Sequence, residues 1–177
     1  IVNNRTLEFL NKLPEVMDWA ECHPETKKEI KDGVMNSLGV FVKQEMERFN
    51  KLLKEVKKNL VSLVNAIKGT EVMSAKLEEI FNAFINNKVP GAWMDNNIGF
   101  PSLKPLVSWV DDLVARIEFI GGWVTNGPPM TFWVAAFFFP QGFMTATMQT
   151  FARATGRPID SLGFTAHVTE LPAKILA

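Results

Sequence analysis

Apolar residues recur every seven positions through the middle of the chain. Val42, Phe49, Val56 and Leu63 form one series; Met46, Leu53, Leu60 and Ile67 form a second, four places later in each heptad. Such a pattern lays a stripe along one side of a helix. Leu52 and Val64 widen the stripe beyond a narrow seam, which suits packing in a bundle. Lys43, Glu47, Lys51, Lys54, Lys58 and Asn65 fall on the other, wet face. Asn36 or Ser37 is expected to cap the start, and Gly69, after Lys68, to close the end. Two uses of the stripe stay open: a helix of the protein's own bundle, or a seam to a second copy or partner. The second use would make the protein an independent helical adaptor dimerising through residues 42–67.

Weaker patterns flank this helix. Thr6 is a candidate cap for a short helix through Leu13, stopped by Pro14, and residues 15–32 are irregular, broken by Pro24. Ser74 is a good N-cap for a helix with Leu77, Ile80, Phe81, Phe84 and Ile85 on its apolar face; Val89-Pro90 is expected to end it. After an aromatic-rich loop over residues 93–100, Ser102 is the expected cap of a third helix, with Pro105 in its first turn. Leu106, Val110, Leu113, Ile117 and Ile120 run down one face of that helix, beside Trp109, Trp123 and Val124. Gly121-Gly122 weakens its end, and Asn126-Gly127-Pro128-Pro129 breaks it.

Residues 131–139 have no polar face, so they read as either a buried helix or a buried strand. Pro140 suits the first turn of a further helix through Ala154. Its apolar side is Phe143, Met144, Thr147, Met148 and Phe151, with Gly156 at the C-terminal cap. Leu162, Phe164, Ala166 and Val168 then alternate with Gly163, Thr165, His167 and Thr169, the pattern of a half-buried strand. The expected fold is mainly α: a helical bundle with a long heptad-patterned helix, followed by the start of a small β-structure near the C-terminus.

Composition narrows the chemistry. Of 177 residues, 47% are apolar, enough for a sizeable core. Lys plus Arg and Asp plus Glu both number 19, so no surplus of positive charge points to nucleic acid. The apolar run at 130–139 is about half of the roughly 20 residues that span a bilayer, so no membrane partner is expected. Fourteen Phe and five Trp with no Tyr imply a core with few hydroxyls to satisfy. One cysteine, Cys22, and two histidines, His23 and His167, exclude a disulfide framework and a multi-histidine or multi-cysteine metal centre. A single free cysteine and the lack of an export signal fit a reducing, intracellular compartment. The sequence has no initiator Met and ends abruptly on Ile175-Leu176-Ala177, so it reads as a piece of a longer protein.

No phosphate loop, dinucleotide fingerprint, zinc-protease motif or nucleophile elbow is present. Cys22 and His23 are adjacent in sequence, which gives no nucleophile–base geometry. Asp111 and Asp112 point about 100° apart on a helix and cannot act as facing carboxylates. Arg116 is placed to pair with Asp112 at i,i+4. No catalytic, cofactor-binding or metal-binding residue is therefore expected.

A resemblance extends this reading. The run at 99–116, GFPSLKPLVSWVDDLVAR, is similar to the signature YPSLKPLGSWVxDLxxR of the C-terminal region of dynein heavy chains. In order around it, QEMERFNKLL at 44–53 resembles QExxRFNxLL, and AIKG at 66–69 with Met73-Ser74 resembles AIKG…MS. Val89-Pro90 and Trp93 fit VPxxW. Phe132-Trp133, FFFPQGFMT at 137–145 and Gln149 fit FWLSGFFFPQxFLTxxxQ; Ala152-Arg153 and PIDSL at 158–162 fit AR…PIDxL. Leu13-Pro14, Asp18 and Met35-Asn36-Ser37 resemble the LPxxFD…SMN stretch of the axonemal class. Phe100 stands where Tyr is usual, Val107 replaces Gly, and Ala135-Ala136 replace SG. The segment from Ser37 to Lys43 is about two residues longer than that family's spacing.

The resemblance implies a part of a microtubule motor of cilia or flagella. Its ATP-hydrolysing AAA+ modules would lie outside these 177 residues, which would stop within the terminal β-structure. It divides the sequence into a weakly matching lead-in at 1–35, a helical part at 36–156 and the start of a β part at 157–177. It implies a non-catalytic, structural and regulatory role that braces the AAA+ ring, in the axoneme, with no cofactor. The implied partners are the other AAA+ modules of the same heavy chain, and dynein subunits and microtubules through the parent protein. Trp109, Phe119, Trp123, Phe132 and Trp133 are the candidate anchors, either in internal packing or against the ring.

Overall fold

A computed structural model describes residues 1–31 and 33–168. Among the described residues six helices carry the fold: α1 Val2–Lys12, α2 Ser37–Ile67, α3 Ala75–Ile85, the single turn α4 Gly91–Met94, α5 Leu106–Asn126 and α6 Pro140–Thr155. A two-stranded antiparallel sheet, β1 Glu29–Lys31 with β2 Val34–Met35, precedes α2. The protein forms two compact units. One is Ile1–Met17 with Glu47–Glu118; the other is Asp18–Met46 with Phe119–Ala177.

The heptad stripe is the spine of α2. Val42, Met46, Phe49, Leu53, Val56, Leu60 and Leu63 are buried within the protein itself, and so are Leu52 and Val64. Only Ile67, in the last turn, is exposed. The stripe therefore leaves no seam for a second copy, and the adaptor dimerising through 42–67 is excluded by its burial. Asn36, rather than Ser37, caps the helix: its Oδ1 accepts from the Gly39 N–H at 2.8 Å. At the other end Gly69 adopts φ +79°. The Gly69 N–H donates to Ala66 O and the Thr70 N–H to Asn65 O, the paired bonds that satisfy the last carbonyls of a helix.

In the first unit α1 packs on α3 through Phe9 and Phe84, whose rings meet edge-on at 5.7 Å. The Asn50 side chain bonds both backbone groups of Met17, accepting from its N–H at 2.9 Å and donating to its O at 2.7 Å. Thr6 does not cap α1. It lies inside the helix, buried, with Oγ1 donating to Val2 O at 2.9 Å, because the helix starts four residues earlier. Ser74 does cap α3, accepting from the Leu77 N–H. The helix ends at Ile85, ahead of the Val89-Pro90 stop. Asn87 takes the left-handed conformation at φ +53°, and the Asn87 and Lys88 N–H groups bond Phe84 O and Ala83 O. Asn87 O then accepts the Leu106 N–H at 3.0 Å, serving an otherwise orphaned donor at the start of α5. Ser102 is not the cap of α5; its Oγ accepts from the Lys104 N–H, and the helix begins after Pro105.

In the second unit the carbonyls at the end of α5 are met by an incoming loop. The His23 N–H donates to Val124 O at 2.7 Å and Thr26 Oγ1 donates to Trp123 O at 3.2 Å. Gly39 allows the first turn of α2 to approach that loop: a Cβ there would lie 2.3 Å from Thr26 O. Residues 131–139 are neither the helix nor the strand that their apolarity allows. They hold one 3-10 turn, Val134–Ala136, followed by an extended Phe137. Pro140 keeps Phe139 out of the helical region, at φ −129° and ψ 73°, and occupies the first position of α6. Gly156, at φ +67°, closes α6. The strand expected from Leu162 to Val168 is not formed. A strand exists through a neighbour's hydrogen bonds, and no described strand pairs with this segment. Residues 169–177, the rest of the expected β part, lie outside the described residues. No described helix is long and apolar enough to cross a membrane.

Candidate functional site

Seven aromatic rings converge in the second unit. Phe41 comes from α2, Phe119 and Trp123 from α5, Phe132, Trp133 and Phe137 from the segment before α6, and Phe143 from α6. Phe41 meets Phe137 edge-on at 4.9 Å, and Phe132, Phe137 and Trp123 each lie within 6.4 Å of Phe143. Phe119 bridges outward, 5.9 Å from Phe137 and 6.2 Å from Trp133. Offset and edge-on pairs of this kind are favourable beyond the area they bury.

One carboxylate fixes the segment that carries three of these rings. Glu45 is only 1% exposed. Its Oε2 accepts from the Phe138 N–H at 2.7 Å and its Oε1 from the Phe139 N–H at 3.0 Å. These donors sit at the threshold of α6, whose cap residue Phe139 has no side-chain oxygen, so a carboxylate from α2 takes the place of a cap. The sequence carries a signal for it: Glu45 lies four residues from both Phe41 and Phe49, a charge in the middle of an apolar stripe. Such a residue is buried only where donors meet it.

The cluster is closed inside and open at its edge. Trp123 is buried, and its Nε1–H has no acceptor among the described residues. Phe119 and Phe132 are half-buried. Trp133 is 39% exposed, Phe139 48% and Met130 95%. Also in this unit, a groove of about 240 Å³ is lined by Thr147, Met148, Phe151, Leu162, Gly163 and Phe164. Four of the five candidate anchors, Phe119, Trp123, Phe132 and Trp133, thus belong to one cluster, and three of them reach its edge.

The fifth, Trp109, lies in the first unit. It is fully buried and stacked on Trp93 at 5.5 Å, with Phe100 5.8 Å away. Gly99, Phe100, Trp109, Asp112 and Arg116 of the run at 99–116 build this lock. Gly99 lets the backbone pass so close to Trp93 that a Cβ would lie 1.8 Å from its carbonyl oxygen. The Arg116 guanidinium sits 4.8 Å over the Phe100 ring. Asp112, with a side chain 8% exposed, receives Lys104 at 2.6 Å and Arg116 at 2.7 Å. Burial pushes the Asp112 carboxyl up, and the hydrogen bonds from Lys104 and Arg116 outweigh it, leaving its pKa below the ordinary value. Asp111 instead pairs with Lys12, so the two aspartates do not face one another.

Cys22 and His23 do not form a nucleophile–base pair. The thiol donates to His23 O, and His23 Nδ1 accepts from the Glu25 N–H at 3.2 Å. Burial, partly countered by Lys27 and a hydrogen bond with Thr26, pushes the Cys22 thiol up and keeps it protonated. His167 is exposed. Among the described residues no three His, Cys, Asp or Glu side chains gather as a metal site.

The family model for the C-terminal domain of dynein heavy chains matches residues 1–175. The human dynein axonemal heavy chain 6 is 41% identical over 164 residues, 93% of this chain and 4% of that protein. The human dynein axonemal heavy chain 3 is 40% identical over 172 residues, 96% of this chain and 4% of that protein. The rat dynein axonemal heavy chain 1 is 44% identical over 128 residues, 72% of this chain and 3% of that protein. The sequence thus spans about 4% of the length of the first two of these relatives. Ordered helix by helix, with the 99–116 run folded into its lock, the protein belongs to the family of C-terminal domains of dynein heavy chains.

Proposed function

We propose that this protein is a non-catalytic, structural and regulatory portion of an axonemal dynein heavy chain, an ATP-driven microtubule motor of cilia or flagella. In this reading ATP is hydrolysed in AAA+ modules outside these residues. Residues 1–177 brace those modules, with 36–156 as the helical part and 157–177 as the lead into a β part. The direct partners are the other modules of the same heavy chain; dynein subunits and microtubules are reached through the parent protein. The observation that carries the reading is the aromatic cluster of a family member left uncovered along one edge, at Phe119, Phe132 and Trp133. Burying a Trp or Phe contributes about 1.5–3 kcal/mol, so a few such side chains seated on a neighbouring module resist sliding. Trp109 and Trp123, already buried, serve as internal packing.

The test is a full heavy chain with Trp133→Ser and Phe139→Ser. Microtubule gliding velocity should change while nucleotide affinity stays as it was. Unaltered gliding would remove the bracing role. Tight ATP binding to residues 1–177 alone, measured by calorimetry, would remove the non-catalytic reading.

A further inference from the structure

The exposed side of the aromatic cluster hangs on a short turn. The Val134 N–H donates to Phe132 O at 3.1 Å, the Ala136 N–H to Trp133 O at 2.9 Å and the Phe137 N–H to Val134 O at 3.3 Å. These local bonds make Trp133 and Phe137 the two ends of one unit. Phe137 is buried against Phe41 and Phe143, whereas Trp133 stays 39% exposed with Phe119 at 6.2 Å. Beyond Phe137, Glu45 holds the Phe138 and Phe139 N–H groups from 93 and 94 residues away in sequence. It lies one helical turn after Phe41, so one face of α2 delivers both a ring and a carboxylate to this segment. Phe139 is fixed a second time: its ring lies over Gly142, where a Cβ would come within 2.3 Å of Cδ1. Phe138 is half-buried and Phe139 exposed, so water is close to both donors. Deprived of its acceptor, such a segment need not unfold; a small shift takes its N–H groups to water. That shift carries the turn, and Trp133 with it.

We propose that Glu45 is the positioning residue of the aromatic edge: its carboxylate sets the pose in which Trp133 meets a neighbouring module. This deepens the bracing function proposed above and rests on it. An edge ordered before contact loses less loop and side-chain freedom when it docks. Part of the bracing strength therefore resides in a residue that is itself only 1% exposed. Its two oxygens serve two donors; the amide of a glutamine offers one acceptor, and a leucine none. The pose of Trp133 should follow that order.

Two measurements test this. In residues 1–177 labelled with fluorotryptophan, Glu45→Leu should shift the fluorine resonance of Trp133 and leave that of Trp109, in the first unit, where it was. Glu45→Gln should shift it less. Glu47→Gln, at an exposed carboxylate on the same helix, should not shift it. In the full heavy chain, Glu45→Leu should move microtubule gliding velocity in the same direction as Trp133→Ser with Phe139→Ser, Glu45→Gln should restore part of the change, and nucleotide affinity should hold. A Trp133 resonance indifferent to Glu45→Leu, or one that moves together with Trp109, would overturn the proposal. So would gliding that responds to the Trp133 and Phe139 pair but not to Glu45→Leu, and the bracing function would then survive. Gliding that ignores the pair removes the bracing function, and the positioning role falls with it.

Discussion

The two units use aromatic side chains in opposite ways. In the first, Trp93 and Trp109 stack out of water, Phe100 and Arg116 close over them, and Asp112 collects two cations. The buried side of the 99–116 run is consumed within the unit, while Leu103 and Ser108 stay exposed. In the second, the Phe41–Phe143 cluster is packed inside, yet Trp133, in contact with Phe119, continues it into solvent. A recognisable sequence signature therefore need not mark a surface. The rings of the run that most resembles its family perform internal packing here, while the exposed aromatic edge comes from α5 and the segment before α6.

Truncating one tryptophan on each side breaks that contrast most sharply. Trp109→Ala should cost about 3–5 kcal/mol, the range for a buried large aromatic. Trp133→Ala should cost under about 1 kcal/mol, since much of its ring is already wet. Denaturant melts of the two variants check this; similar losses would mean that the edge is as structural as the lock.

Removing the carboxylate that holds the loop should come next. Glu45→Leu strands the Phe138 and Phe139 N–H groups, at about 1–3 kcal/mol for each unsatisfied buried group, while Glu45→Gln keeps one acceptor and should lose less. Hydrogen exchange at Phe138 and Phe139 reads the effect directly. Protection unchanged in Glu45→Leu would show that the loop is held by its rings alone.

Acid should act more gently, and through the first unit. Asp112 and Glu55 both have lowered pKa values, the latter through hydrogen bonds from Lys76 and Asn59. A carboxyl with a lowered folded-state pKa contributes stability above its unfolded value, about 4, and loses it as pH falls through the lower folded value. The melting temperature should drop below about pH 4, and Asp112→Asn should flatten that drop while lowering stability at neutral pH. An identical acid profile in Asp112→Asn would dissociate the carboxyl from the stability of its unit.

Much of this was legible along the sequence because its causes are local. The α2 stripe, the Ser74 cap, the Gly69 and Gly156 terminations and Pro140 at the head of α6 each depend on residues within one or two turns. The Arg116–Asp112 pair follows from helical spacing. Other features needed partners from afar. Thr6 reads as a cap until its own burial places it inside α1. Ser102 reads as a cap until Asn87 O supplies the first donor of α5 with its acceptor. The β1–β2 pair is too short to show a period, and the alternating residues 162–168 have the period without a described neighbour.

Helix identity and facing in this protein follow from side-chain periodicity, which acts over a few residues and is written in their order. The course of residues 131–139, the burial of Glu45 and the division between a sealed lock and an open aromatic edge follow from packing. A stretch with no polar face has no preferred conformation of its own. It takes the one that satisfies its N–H groups, and the acceptor for two of them stands about ninety residues away on another helix.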